Sequence, residues 1–293
     1  MKPSVELLRS GVRGALEVRL RAQLRNDQPV CVYDLADHLG LEVKFCSGKS
    51  LGGMYSKSSQ TILVPTLRPP GRRAFTCAHE IGHWYFDHGS RIDAANLMEQ
   101  TSDDDPAEQL ANVFASHLLM SSWAVKKAFE KRKLKPEHAS PVQMYSVAMQ
   151  LGVGYSTLVL HLLYALRLIS QMRADFLQRT SPADIRNELL GNNKAPYLVI
   201  ADIDWAEVPI DLQVGDMAIL PSNTKVEGQA ASVIDSNRLG VIIQAQRPGI
   251  SRAELLDSNW AAYVRVSRKD YEGRSRYRHL EDPDVDGRTT FDL

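Results

Sequence analysis

The stretch Thr76-Cys77-Ala78-His79-Glu80-Ile81-Gly82-His83-Trp84-Tyr85 constrains this chain more than any other. On a helix, residues four apart lie about 40° apart around the axis, so the imidazoles of His79 and His83 can reach one metal ion. Glu80 projects about 100° away from His79. That is too far round for a ligand of the same kind, yet close enough to act on a water beside the metal. The flanks support a helix. Pro69-Pro70-Gly71 is a breaker run after which a helix can begin. Phe75, Ala78 and Gly82 recur at helical spacing, with Ile81, Trp84 and Tyr85 beside them, so the helix has an apolar side to bury. Gly82 costs about 1 kcal/mol in a helix interior, which makes sense where another backbone or the metal site comes close. The competing reading is a core helix with two incidentally spaced histidines.

A metal poised for chemistry wants three protein ligands and one open position. A second helix is predicted from Pro106, a favoured first position, through Ala107-Glu108-Gln109-Leu110-Ala111-Asn112 to Met120. Glu108 is the candidate third ligand. Ala111, Asn112, Ala115 and Leu119 continue its face, and the two alanines would let this helix pack closely on the first. Asn112, one turn on, could hold the far ring nitrogen of a liganding histidine. Glu108 could instead close a D-x-x-E capping box with Asp105. His88 lies nine residues after His79, about 180° round a continuing helix, and is expected to face away. His117 lies off the Glu108 face and reads as solvated or capping. A longer pattern, with glycine at the eighth position and a third histidine at the eleventh, is excluded by Phe86 and Gly89.

Charge decides little. The 293 residues carry 35 basic and 35 acidic side chains, so no bulk field points to nucleic acid or a membrane. Cys31, Cys46 and Cys77 show no CxxC spacing, which fits a reducing cytoplasm better than a disulfide framework. The first residues lack a signal-type apolar core. The nearest approach to a membrane span, Leu158 to Leu166, is short and interrupted by His161.

Taken in order, the chain reads as α+β. Residues 5–26 suggest an amphipathic helix, with Val5, Leu8, Val12, Leu16, Val18 and Leu20 among arginines. Pro29 to Leu39 suggests a strand entry and a short helix. Residues 41–45, 52–55 and 61–64 read as strands of a small sheet ahead of the metal helix. Residues 1–135 form the expected metal-site domain. Within residues 136–178, two helices flank Leu151-Gly152-Val153, as in a helix-turn-helix. The second has few side chains for reading bases and no Arg or Lys before Arg167, so direct DNA binding is not expected. Gln171 to Gln178 reads as a connector. Residues 179–293 change texture. A short capped helix from Ser181 is followed by strand-like runs at 197–200, 217–220, 232–234, 239–243 and 262–266, with one helix possible near Ser251 to Leu256. This is expected to be a separate β-rich domain. Asp282 to Gly287 mimics the start of a calcium loop, but position twelve is Leu293, so an acidic tail is the default.

The motifs carry a specific resemblance. Arg73-Ala74-Phe75-Thr76-Cys77-Ala78-His79-Glu80-Ile81-Gly82-His83, then Glu108-Gln109-Leu110-Ala111-Asn112-Val113-Phe114-Ala115 and Leu118-Leu119-Met120, resemble the ImmA/IrrE family of bacterial zinc metallo-endopeptidases. That family reads roughly R-F-T-x-A-H-E-x-G-H, E-x-x-A-N-x-F-A and L-L-M-P; Ser121 replaces the final proline here. The resemblance covers about residues 5–170. It implies a zincin-like domain whose sheet edge flanks the substrate cleft, with one catalytic Zn2+ on His79, His83 and Glu108 and with Glu80 as base. The implied protein substrate is an XRE-type helix-turn-helix repressor, whose cleavage releases stress-response or mobile-element genes. Radiation-response members carry a GAF-like sensor after the protease; no specific GAF motif is visible here. The alternatives are a non-proteolytic regulator with a structural zinc, and a toxin or phage-defence protease with another target.

Overall fold

A computed structural model describes residues 4–48, 51–89, 91–94, 105–255 and 258–280. It is α+β, with three small sheets. Two compact units are present. One runs to Asn192 and also takes in Glu272–Arg276; the other spans Asn193–Tyr271 and resumes at Tyr277.

The first unit begins with α1 (Val5–Arg21), α2 (Val32–His38), β1 (Glu42–Cys46), β2 (Leu51–Ser56), β3 (Thr61–Pro65), α3 (Pro70–Tyr85), β4 (Arg91–Ala94) and α4 (Pro106–Leu119). It continues with α5 (Ser122–Lys131), α6 (Pro141–Gln150), α7 (Tyr155–Leu160), a π-helical turn His161–Ala165, α8 (Gln171–Gln178) and α9 (Pro182–Leu190). The second unit holds β5 (Leu198–Ile200), β6 (Ile210–Gln213), β7 (Met217–Leu220), β8 (Thr224–Glu227), β9 (Ala231–Asn237), β10 (Gly240–Ala245), β11 (Gly249–Leu255) and β12 (Ala261–Ser267); β13 (Gly273–Arg274) belongs to the first.

The first sheet runs β13-β1-β3-β2-β4, with β1 and β3 parallel and the other neighbours antiparallel. β1 alternates as a one-sided strand should: Val43 and Phe45 are buried, and their neighbours half-buried. β4 and β13 are too short for a period-two pattern, and neither was foreseen.

α3 packs on β2 and β3 and on α4. It starts at Pro70, inside the breaker run and not after it, with Pro69 as its cap, and buries all of Thr76 to His83. A Cβ added at Gly82 would lie 3.2 Å from Ala111 Cα and 3.1 Å from Phe114 Cδ1, so the close backbone approach expected from that glycine is to α4. At the other end of α3, a Cβ on Gly71 would lie 2.5 Å from Gly154 N and 2.7 Å from the Val153 carbonyl carbon. The start of α3 thus rests on backbone in the turn between α6 and α7.

α1 ends at Arg21, short of the expected residue 26, and its most buried face shares only Val18 with the expected apolar set. Gly11, Gly14, Ala15, Val18 and Arg19 are buried, while Leu20 is 74% exposed. Close approach decides this: a Cβ on Gly11 would strike Val113 of α4, and one on Gly14 would strike Tyr85 and Phe86. The Arg19 guanidinium lies fully buried and donates to the carbonyls of Leu118 (2.6 Å), Arg25 (2.9 Å) and Gln28. It thereby satisfies a carbonyl in the last turn of α4, where no intrahelical partner is available.

α6 and α7 are bent by 97° at their junction, within the range of helix-turn-helix units. Among the described residues no single helix is long and apolar enough to cross a membrane. The expected connector 171–178 is a helix, α8, capped by Ser170. α9 follows its sequence signals: Ser181 and Asp184 cap each other's backbone, and Gly191 closes the helix at φ 57°.

The second unit contains two four-stranded sheets, β5-β7-β10-β9 and β6-β12-β11-β8. The helix expected near Ser251 to Leu256 is instead the strand β11. Gly249, Ser251 and Ala253 are buried in alternation, and β11 is paired on both sides by β12 and β8, so period-two burial overrides local helix propensity. In the parallel register of β6 and β12, Asp211 faces Arg265, which binds it through two nitrogens at 2.6 and 2.8 Å. The calcium-like stretch 282–287 lies outside the described residues.

Candidate metal centre

α3 and α4 supply the site. Because Gly82 and Ala111 let these helices approach closely, side chains one turn apart on each can meet. His79 Nε2 and His83 Nε2 stand 2.9 Å apart. Glu108 Oε2 lies 3.1 Å from His79 Nε2, and Glu108 Oε1 lies 3.4 Å from His83 Nε2. One ligand atom from each of the three residues lies within 4.8 Å of the others.

Glu108 reaches this position from the first turn of α4. Asp105 caps that helix by accepting from the Ala107 N–H at 2.9 Å, while the Glu108 carboxylate extends to the two imidazoles. Burial pushes the Glu108 carboxyl up, but hydrogen bonding to His79 and His83 outweighs burial and holds it well below the usual carboxylate range.

The proton arrangement tests whether a cation fits. His79 Nδ1 lies 3.0 Å from the acceptor Asn112 Oδ1, so that nitrogen carries the ring proton and Nε2 presents a lone pair. The lone pair points toward His83 Nε2 and a carboxylate. Two imidazole nitrogens and one carboxylate around a common point form a donor set suited to a divalent transition metal. Tetrahedral bonds of roughly 2.0–2.2 Å would space such donors about 3.3–3.5 Å apart. The observed separations are within a few tenths of an ångström of that, so the residues fit a metal ion with minor adjustment.

Glu80 is fully buried on α3, on the side facing β2. A Cβ on Gly53 of β2 would press directly on Glu80 Oε1 and lie 2.6 Å from Thr76 Cγ2. The bare backbone of that strand makes the room in which the carboxylate sits.

The model of the IrrE N-terminal-like domain, an M78 peptidase family, matches residues 36–162. That part of the chain is similar to the IrrE N-terminal-like family. The matched span runs from the end of α2 through α7 and contains every residue of the centre described above. Among solved structures, a Mycobacterium tuberculosis transcriptional regulator is similar at 16% identity and a TM-score of 0.34, over 55% of this chain and 47% of that chain. The match therefore spans about half of that protein's length. Comparison with curated proteins gave no match.

Two histidines of the IrrE-like domain differ from expectation. His88 does not face away: α3 ends at Tyr85, and His88 turns back so that its Nδ1 lies 2.9 Å from His83 Nδ1. A helical projection carried past Tyr85 could not show this. The signal was Gly89, a break soon after the motif. His117, expected to be solvated or capping, lies in the last turn of α4, is half-buried and packs edge-on against His161, with ring centroids 5.1 Å apart.

Proposed function

We propose that this protein is a zinc-dependent endopeptidase acting on a protein substrate, with His79, His83 and Glu108 holding the metal and Glu80 serving as general base. The observation that carries the reading is the convergence of the three donor atoms on one point, beside a buried glutamate on the same helix. When bound, Zn2+ would supply a Lewis acid that lowers the pKa of a water to about 7 and polarises a carbonyl. Glu80 accepts a proton from the water that attacks the scissile carbonyl carbon, then delivers it to the departing amide nitrogen. Asn112 holds His79 through Nδ1, so its lone pair stays directed at the metal.

The resemblance to repressor-cutting peptidases makes an XRE-type helix-turn-helix repressor the proposed substrate, cut in the cytoplasm. A protein partner also suits the helical segment. Leu160 and Tyr164 are exposed on α7 and the turn after it, and the first basic side chain there is Arg167. The test is incubation of the zinc-loaded chain with candidate repressors, with fragments mapped by mass. Wild type is expected to give discrete fragments, whereas Glu80→Gln keeps the zinc and cuts nothing. Cleavage retained in Glu80→Gln would sink this mechanism.

A further inference from the structure

We infer that His88 is a positioning residue that fixes the tautomer and orientation of His83, an inference that rests on the metal reading above. His83 turns Nε2 toward His79 and Glu108. In the metal-binding form its proton therefore sits on Nδ1 and needs an acceptor. His88 Nδ1 is 2.9 Å away. It accepts, which places the His88 proton on Nε2. A single proton arrangement satisfies the pair. His79 has the matching device in Asn112, so each imidazole on α3 has its own acceptor.

The backbone builds this contact from the helix end itself. Phe86 is the cap residue, and Asp87 follows in the left-handed region at φ 53°. The Asp87 N–H donates to Trp84 O at 3.2 Å, and the His88 N–H donates to His83 O at 3.0 Å. These are the two bonds of a Schellman motif, which brings the side chains corresponding to 83 and 88 together. An apolar pair usually meets there. Here two imidazoles do, with centroids 5.1 Å apart and planes at 67°. Phe86 stacks on the His88 ring at 5.8 Å and 20°. Lys57 Nζ pairs with Asp87 Oδ1 at 2.5 Å, on the residue that takes the left-handed turn. The turn and the stacked ring together leave His88 Nδ1 aimed at His83.

The experiment measures Zn2+ affinity of the full chain by competition with a chromophoric chelator. It compares wild type, His88→Ala, His88→Leu and His88→Asn. Asparagine Oδ1 can take the place of imidazole Nδ1 and accept the same proton; alanine and leucine cannot. His88→Ala and His88→Leu are expected to weaken zinc binding about 10–100-fold, with most of that loss recovered in His88→Asn. Wild-type affinity in His88→Ala overturns the inference and leaves the metal site standing. His88→Asn as weak as His88→Leu also overturns it, because ring packing and not the acceptor then matters. Should His88→Ala fail to fold, the comparison of Leu with Asn decides the same question. A wild-type chain that binds no zinc overturns this inference and the proposed function together.

Discussion

Gly53 leaves empty the space into which the Glu80 carboxylate extends, so a strand of the first sheet and the helix bearing both imidazoles share one closely fitted contact. Gly53→Ala is expected to displace the carboxylate without touching His79, His83 or Glu108. A misplacement of about 1 Å can reduce a rate about 100-fold. Peptide cleavage should therefore fall by about that factor while zinc affinity stays at the wild-type value. Rate and affinity measured on the same preparation check this; parallel losses in both would show that the glycine serves the fold and not the base.

Arg19 closes the seam between α1, the loop after it and the last turn of α4. Burial pushes its pKa down to about 10, so it stays charged at neutral pH and its three carbonyl partners depend on it. Arg19→Met keeps much of the volume but strands those carbonyls. Each lost hydrogen bond to a charged group is worth about 1.5–3 kcal/mol, so a total loss of about 3 kcal/mol or more is expected. Urea unfolding should show a lower midpoint with an unchanged slope.

His161 gives the first unit an acid limit. Its Nε2 donates to Met120 O at 2.9 Å, and His117 of α4 packs beside it. Burial first, then the nearby His117, push its pKa down to about 3, against a weaker upward pull from the Met120 carbonyl. In the unfolded chain a histidine titrates near about 6.5. Between those values the unfolded state takes up the proton and the folded state does not. Stability is therefore complete above about pH 6.5 and declines as pH falls, by about 2 kcal/mol at pH 5. His161→Gln retains a donor for Met120 O but does not titrate. Unfolding midpoints at about pH 7.5 and pH 5 should differ less in that variant than in wild type, with His117, also depressed by burial, supplying the remaining slope.

Much of the candidate centre was legible because it depends on short-range regularities. The four-residue spacing put His79 and His83 on one face, and Gly82 with Ala111 announced a close crossing of two helices. Glu108 was legible only as one of two options, since the same residue at the same offset from Asp105 also suits a capping box. His88 was hidden because its position depends on where α3 stops, which a left-handed Asp87 decides. The strands β6, β8 and β11 were hidden for another reason. Their pattern takes shape only when neighbours from distant parts of the chain bury alternate residues, as Gly249, Ser251 and Ala253 illustrate. On α1 the long apolar side chains misled, because glycines at 11 and 14 permit a closer approach than leucines would.

The contact of Gly71 with Val153 and Gly154 is made by main chain against main chain, with no side chain between to give way. Close-packed interiors have little compressibility. A side chain added at 71 would therefore have to displace either the turn between α6 and α7 or the first residues of α3. The helix that begins there carries both imidazoles and the glutamate between them. Glycine at 71 is what lets that helix start so close to the turn.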